Sequence, residues 1–107
     1  MRICTALVFS AASLFGQAFT GSISGLVKDP TGAVVNGAVI IVTDVARGTQ
    51  HKTVSNDTGL YVVPQLQPST FRITAEAAGF RKYTLDGMPL STQQSATVNI
   101  TMELGSV

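Results

Sequence analysis

Short turns that contain glycine recur along this chain and separate segments rich in β-branched and aromatic residues. The clearest of these turns lie at 29–32, 36–38, 56–59 and 78–80. The Val, Ile, Thr, Phe and Tyr residues between them suit the pleated, half-buried surface of a sheet. After residue 18, no segment repeats its apolar residues every three or four positions for long enough to form a helix. The sequence therefore predicts an all-β domain.

Alternation of apolar and polar residues predicts seven strands after residue 18. They are expected at 22–28, 38–44, 49–55, 60–63, 71–76, 80–85 and 95–104. The strand at 38–44 is apolar on both faces and is expected in a sheet centre, whereas 49–55 carries charge and is expected at an edge. The strand that begins at Leu60 is expected to stop at Pro64, because proline cannot donate to a ladder. Seven short strands with frequent turns predict an antiparallel β-sandwich.

The last predicted strand has the longest regular alternation in the chain. One of its faces is expected to join the core, with inward-facing residues Ala96, Val98, Ile100, Met102 and Leu104. Because side chains alternate with a period of two, a slip of one residue would exchange the two faces of this strand.

Residues 1–18 have the features of a secretory signal peptide. Arg2 supplies a positive charge, and 3–15 form an apolar stretch that is too short to span a bilayer. Small residues at the end of this segment suit cleavage, and a buried N-terminal strand or helix is the alternative. Cys4 lies at the beginning of this segment, whereas a lipid-bearing cysteine would follow the apolar residues. We therefore expect one exported domain, 19–107, without a lipid anchor.

The predicted mature domain contains no cysteine, which excludes a disulfide framework or a thiolate nucleophile within it. Apart from Arg2, the chain has six lysines and arginines against six aspartates and glutamates. The basic residues are scattered, and the only adjacent pair, Arg81 and Lys82, is interpreted as part of a solvated strand face. Because no basic patch could neutralise several phosphates, nucleic acid is excluded as a partner.

His51 is the only histidine and therefore the only candidate for a histidine general base. A Ser-His-Asp triad needs a nucleophile beside the histidine and a carboxylate behind it, and no motif around His51 indicates either group. A peptidase zinc site would need further histidines. We expect His51 to be a solvated surface residue, and we expect no catalytic, cofactor-binding or metal-binding residues.

Three oxygen-bearing side chains suggest a calcium site as an alternative: Asp29, Asn56 and Asp57. Both aspartates begin a turn that ends in glycine, where a carboxylate commonly accepts hydrogen bonds from nearby backbone N–H groups. No sequence feature brings the two turns together. Turn capping is therefore the preferred interpretation of these residues.

Carbohydrate binding needs exposed aromatic rings in most sugar platforms, and the chain has no tryptophan. Three aromatic residues fall where core residues are expected, namely Tyr61, Phe71 and Phe80. Tyr83 is the one aromatic candidate for a sugar-binding surface. Val39 and Ile41 could form a small apolar patch for a partner, although burial under another strand or loop is the preferred expectation.

The ordered succession of turn and strand segments at 25–32, 36–40, 57–61, 66–71 and 78–80 resembles the carboxypeptidase regulatory-like domain family. This resemblance implies a transthyretin-like, starch-binding-like sandwich of seven strands. The chain departs from the usual family pattern at Asn36, which replaces proline, at Ser69, which replaces glycine, and at Phe71, which replaces tyrosine. If position 69 required a positive φ, serine would be strained by about 1 kcal/mol.

Within this family, the chain resembles the N-terminal module of TonB-dependent, Oar-like outer-membrane receptors, in which a plug and a β-barrel that are absent from 1–107 would follow. The resemblance therefore implies a non-enzymatic, monomeric interaction or spacer module with a protein or glycan partner. The module is expected in the periplasm, in the outer membrane or at the cell surface of a Gram-negative bacterium. Any association with the membrane would occur only through the C-terminal barrel that is absent from 1–107. The alternatives are a carbohydrate-binding module and an accessory domain of a secreted hydrolase.

Overall fold

The computed structural model describes residues 19–105, so the predicted signal peptide lies outside the described residues and stays a prediction. The described chain folds into eight strands: β1 (Gly21–Lys28), β2 (Val39–Asp44), β3 (Gln50–Val54), β4 (Leu60–Leu66), β5 (Ser69–Glu76), β6 (Tyr83–Leu90), β7 (Ser95–Thr97) and β8 (Ile100–Thr101). Within 19–105 there is no helix with the length and apolar character needed to cross a membrane.

The strands form two sheets that pack face to face, which confirms the predicted all-β sandwich. The first sheet has the order β4-β1-β7, with β8 also paired to β1, and the second has the order β3-β2-β5-β6. As predicted, β2 is central and β3 lies at an edge. All pairs in the second sheet are antiparallel, whereas β7 and β8 run parallel to β1. The chain crosses from β6 in the second sheet to the first sheet before β7 begins.

The core lies between the inner faces of the sheets and is built by alternate residues of each strand. Its largest fully buried side chains are Tyr61, Phe71, Ile23, Ile40, Leu66, Ile73, Ile100, Met102, Val27 and Val42. The outer face of the second sheet carries Val39 and Ile41, which are half-buried instead of covered by another strand or loop. Tyr61 and Phe71 are core residues, as predicted.

The strand β4 continues through Pro64 to Leu66 and does not stop where the sequence analysis expected. Two features make the proline tolerable. The strand is at the edge of its sheet, and its pairing with β1 shifts by one residue at a bulge. Gln65 follows the proline and has a left-handed backbone with φ 59°. The extra residue lets β4 resume its pairing at Leu66, opposite Gly21.

The sixth strand was also misplaced by the sequence analysis, because β6 starts at Tyr83 instead of residue 80 and extends to Leu90. A second bulge explains why the sequence pattern did not indicate the second half of this strand. The register with β5 shifts beyond Leu85, where Gly87 has a positive φ of 72°. A glycine in that conformation interrupts the alternation that identifies a strand in a sequence.

The predicted last strand is interrupted at Val98 and Asn99, which separate β7 from β8. The Asn99 side-chain oxygen accepts a hydrogen bond of 3.0 Å from the backbone N–H of Leu26, in place of a backbone carbonyl. The Val98 carbonyl points instead toward β4, where the Tyr61 hydroxyl donates to it. Gly25 makes this possible, since a β-carbon at that position would overlap the Val98 carbonyl.

Of the five residues predicted to point inward on the last strand, Ala96, Ile100 and Met102 are buried and Val98 is half-buried against the core. The prediction for Leu104 is wrong, since it is 67% exposed. After β8 the chain leaves the sheet and pairs with the segment 79–81. Leu104 is therefore not paired with β1, and the alternation of buried and exposed residues along β7 and β8 does not continue to it.

Candidate ligand pocket

A small cavity of about 260 Å³, lined by both polar and apolar surface, opens at one end of the sandwich, and we call it the end pocket. The turn between β2 and β3 forms one side, and the bulged end of β4 with its connection to β5 forms the other. Its lining residues are Asp44, Arg47, Thr49, His51, Gln65, Gln67 and Phe71. The end pocket therefore combines residues from both sheets.

Asp44 organises one wall of the end pocket and is only 2% exposed. One carboxylate oxygen accepts hydrogen bonds from the backbone N–H groups of Ala46 (3.0 Å) and Arg47 (3.1 Å) and from the Ser69 hydroxyl (2.7 Å). The other oxygen accepts from the Arg47 guanidinium at 2.7 Å. The Ser69 hydrogen bond, followed by Arg47, lowers the pKa of Asp44 to about 2, against the opposing effect of burial. Asp44 is therefore ionised at neutral pH and holds Arg47 at the mouth of the pocket.

Ser69 is thus a structural hydrogen-bond donor in this chain. It begins β5 and is not among the described non-glycine residues with positive φ, so the conditional strain considered for this position does not arise. The left-handed residue in this connection is Gln65, four positions earlier. The serine hydroxyl adds a fourth hydrogen bond to the three that Asp44 accepts from Ala46 and Arg47.

His51 lines the end pocket and is half-buried, so the expectation of a solvated surface residue is corrected. It pairs directly with Val42, and side chains of directly opposed strand residues project from the same face of a sheet. His51 therefore faces the interior side at the open edge of β3. Within the described residues, its imidazole makes no hydrogen bond or ion pair.

Asp44 and His51 line the end pocket and Ser69 contacts Asp44, but the three residues do not have the hydrogen bonds of a catalytic triad. The Ser69 hydroxyl donates to Asp44, whereas nucleophilic catalysis requires the hydroxyl to donate to the histidine. The carboxylate of Asp44 is already occupied by Ser69 and Arg47. Among residues 19–105, no group of three or more His, Cys, Asp and Glu residues could hold a metal ion.

The opposite wall of the end pocket carries the amides of Gln65 and Gln67, both of which are exposed. The β4 bulge aims Gln65 at this end of the sandwich, since an extra residue changes the direction of the side chains that follow it. In the described part of the chain, neither amide has an internal hydrogen-bond partner, and the same holds for the side chain of Thr49. The sequence analysis missed both glutamines, because the only signal was a proline inside an apparent strand.

The suspected calcium ligands lie in two separate turns of the same type. Asp29 accepts hydrogen bonds from Thr31 N–H, Thr31 hydroxyl and Ala33 N–H at 2.9, 2.6 and 3.0 Å. Asn56 accepts three matching bonds in its own turn, from the N–H and hydroxyl of Thr58 and the N–H of Leu60. The Thr31 hydroxyl is the main cause of a lowered pKa at Asp29. Turn capping is confirmed for both residues.

The second turn differs from the prediction in one respect, because the capping side chain is Asn56 and not Asp57. Asp57 occupies an inner position of the turn and is exposed. The aromatic candidate Tyr83 is half-buried and packs partly against the core. Phe80 is likewise partly buried against the core.

The fold and the end pocket define an all-β module with a small surface cavity at one end of the sandwich. A sequence profile of the carboxypeptidase regulatory-like domain matches residues 22–103. The chain therefore belongs to the carboxypeptidase regulatory-like domain family, as its turn pattern predicted. No curated protein matches the chain closely enough in sequence to show a further relationship.

Several solved structures contain the same fold. Hydroxyquinol 1,2-dioxygenase from Pseudomonas putida has a TM-score of 0.65 and 15% identity over 83% of this chain and 58% of its own. A candidate carbohydrate-binding protein from Bacteroides uniformis has a TM-score of 0.63 and 18% identity over 79% of this chain and 42% of its own. The TIE protein of Bacillus anthracis has a TM-score of 0.64 and 16% identity over 80% of this chain and 17% of its own.

These similarities show the fold alone, since enzymes and other kinds of protein share it. The chain spans between 17% and 58% of the length of the three structures. Each of those proteins therefore contains large regions that have no counterpart in residues 1–107.

Proposed function

We propose that this chain is a non-enzymatic, exported β-sandwich module that forms the N-terminal interaction or spacer domain of a TonB-dependent receptor-like outer-membrane protein. The observation that carries the proposal is the family match over 22–103, which makes almost the whole described chain one accessory module. The hydrogen bonds of Asp44 and Ser69 also support a non-enzymatic role, because both groups are engaged in holding a turn and a strand. The module acts as a monomer with a protein or glycan partner at the cell envelope of a Gram-negative bacterium.

The genomic reading frame beyond the codon of Val107 tests the receptor context directly. A continuous frame into a plug and a β-barrel is expected. A frame that continues into a glycosidase or peptidase would instead establish the hydrolase-accessory alternative, and a stop codon after Val107 would contradict the receptor proposal.

Export is tested separately with the 107-residue chain fused to a reporter enzyme that is active only in the periplasm. Reporter activity is expected for the natural sequence. A matched variant with Leu7→Arg and Leu14→Arg interrupts the apolar stretch and should abolish that activity. Equal activity of the two fusions, or none for either, would contradict the proposed export.

Carbohydrate binding is the second candidate function, and the end pocket is the specific observation in its favour. Its free amides and its guanidinium are the kinds of group that hold sugar hydroxyls in place. The Bacteroides uniformis protein with the same fold adds a weaker argument from analogy. The sugar titration described below tests this function.

A further inference from the structure

We propose that the end pocket binds a single neutral sugar residue of a glycan, held by the amides of Gln65 and Gln67 and by Arg47. The proposal rests on the carbohydrate-binding candidate function and names its site and ligand class. It does not depend on the receptor context.

The size of the end pocket limits the ligand to about one ring. Its volume of about 260 Å³ lies just below the range of roughly 300–1,000 Å³ that is usual for drug-sized ligands. Phe71 closes the bottom and is itself buried in the core, so the cavity cannot deepen without loss of packing. Further residues of a glycan would extend into solvent.

The charge of the end pocket favours a neutral ligand. Arg47 is the only arginine or lysine among its described lining residues, and the Arg47 guanidinium already forms an ion pair with Asp44. The Asp44 carboxylate accepts four hydrogen bonds and is 2% exposed, so it is not available to attract a cation. The pocket therefore has no uncompensated charge for either an anion or a metal ion.

The free polar groups of the end pocket both donate and accept hydrogen bonds. The amides of Gln65 and Gln67, the imidazole of His51 and the hydroxyl of Thr49 each provide both functions. Within 19–105 none of these four side chains makes an internal hydrogen bond. A sugar hydroxyl also donates and accepts at one atom, so a ring with several hydroxyls complements this set better than a carboxylate or an ammonium group does.

Two of the groups are positioned before any ligand arrives. Gln65 is held in a left-handed conformation at the bulge, between Pro64 and the resumed pairing of Leu66. Arg47 is half-exposed, and the Asp44 carboxylate fixes one of its terminal nitrogens while leaving the other donors free. Binding then requires little ordering of the backbone, which reduces the entropic cost of association.

The test is a titration of the isotope-labelled 107-residue chain with methyl glycosides of glucose, galactose and mannose and with N-acetylglucosamine, followed by NMR. Shifts for at least one sugar are expected at Arg47, Thr49, His51 and the two glutamines. The variants Gln65→Ala and Gln67→Ala should each raise the Kd by about 3–10-fold, as expected for one hydrogen bond. Gln50→Ala is the matched control, because Gln50 is exposed on the opposite face of β3 and should leave the Kd unchanged.

Each contrary result has its own meaning. Shifts confined to another surface would overturn the proposed site and leave carbohydrate binding in place. No shift with any sugar at about 50 mM would overturn both the site and the carbohydrate function, and would leave the receptor context to the reading-frame test. Binding of glucuronate without binding of the neutral sugars would overturn the inferred ligand class.

Discussion

The hydroxyl of Tyr61 on β4 donates a hydrogen bond of 2.6 Å to the carbonyl oxygen of Val98, which lies between β7 and β8. Burial raises the pKa of this hydroxyl, so it is a protonated donor at neutral pH. The bond crosses over β1 at Gly25, whose lack of a side chain leaves room for the carbonyl. The bond thereby links β4 to the segment between β7 and β8 across β1, independently of the ladder hydrogen bonds.

Removal of the Tyr61 hydroxyl should therefore destabilise the domain. We expect Tyr61→Phe to lower the free energy of unfolding by about 1–3 kcal/mol, because the Val98 carbonyl would lose its partner in a partly buried site. Tyr83→Phe is the control and should change it by less than about 0.5 kcal/mol. Urea denaturation followed by circular dichroism measures both, and equal effects would contradict the role assigned to the Tyr61 bond.

A side chain at Gly25 should be poorly tolerated. A β-carbon there would overlap the Val98 carbonyl and force β1 and the C-terminal segment apart. We expect Gly25→Ala to destabilise the domain by about 3 kcal/mol or more, whereas Ser24→Ala on the same strand should change stability by less than about 0.5 kcal/mol. Thermal melts of the two variants give the comparison. A Gly25→Ala protein as stable as the natural chain would mean that the β1 register with β7 and β8 is different.

The core assignment of the last strands leads to a third prediction. Ile100 is 1% exposed, so Ile100→Ala should lower the free energy of unfolding by about 2–4 kcal/mol through the cavity that it leaves. Thr97→Ala and Leu104→Ala should each change it by less than about 0.5 kcal/mol, because both side chains are exposed. Chemical denaturation distinguishes these values, and a large effect of Leu104→Ala would favour the register expected from the sequence alone.

The lowered pKa of Asp44 predicts a loss of stability in acid. The carboxyl group has a pKa of about 2 in the folded chain against 3.8 for an unperturbed aspartate, so ionisation favours the folded state. This contribution is complete above about pH 4 and is lost as the pH falls toward 2. The melting temperature should decrease over that interval, and Asp44→Asn should reduce the decrease.

The Ser69→Ala variant tests the cause of the lowered pKa. In this variant the NMR titration midpoint of Asp44 should move upward; an unchanged midpoint would show that Ser69 is not its main stabilising partner.

The connectivity of Ser69, Asp44 and His51 predicts that the chain has no hydrolytic activity. Panels of esters, peptides and glycosides should show no turnover above buffer, because the Ser69 hydroxyl donates to a carboxylate instead of an imidazole. Calorimetry should show no zinc or calcium binding tighter than about 100 μM, roughly 5.5 kcal/mol of binding free energy. Turnover that His51→Ala abolishes would contradict the non-enzymatic proposal.

The sequence was sufficient to predict the sandwich, the central position of β2, the edge position of β3 and most of the core residues. The inner face of the C-terminal segment was predicted correctly at Ala96, Ile100 and Met102, since two-residue periodicity reports directly on which face is buried. The turn at Asp29 was also predictable, because its capping bonds involve only neighbours in the chain. Asn56 was recognised as a turn residue, although Asp57 was expected to be the capping side chain.

What the sequence determined by itself about this protein is therefore local, namely the strand-forming segments, the turns between them and their apolar faces. Only the tertiary structure decided that β7 and β8 run parallel to β1, that Gln65 and Gly87 lie at bulges, and that His51 faces inward beside Asp44. Each of these features depends on which strands become neighbours and in which register. Pairing between distant segments is set by how all the strands close around one core, and this leaves no periodic signal in any single segment.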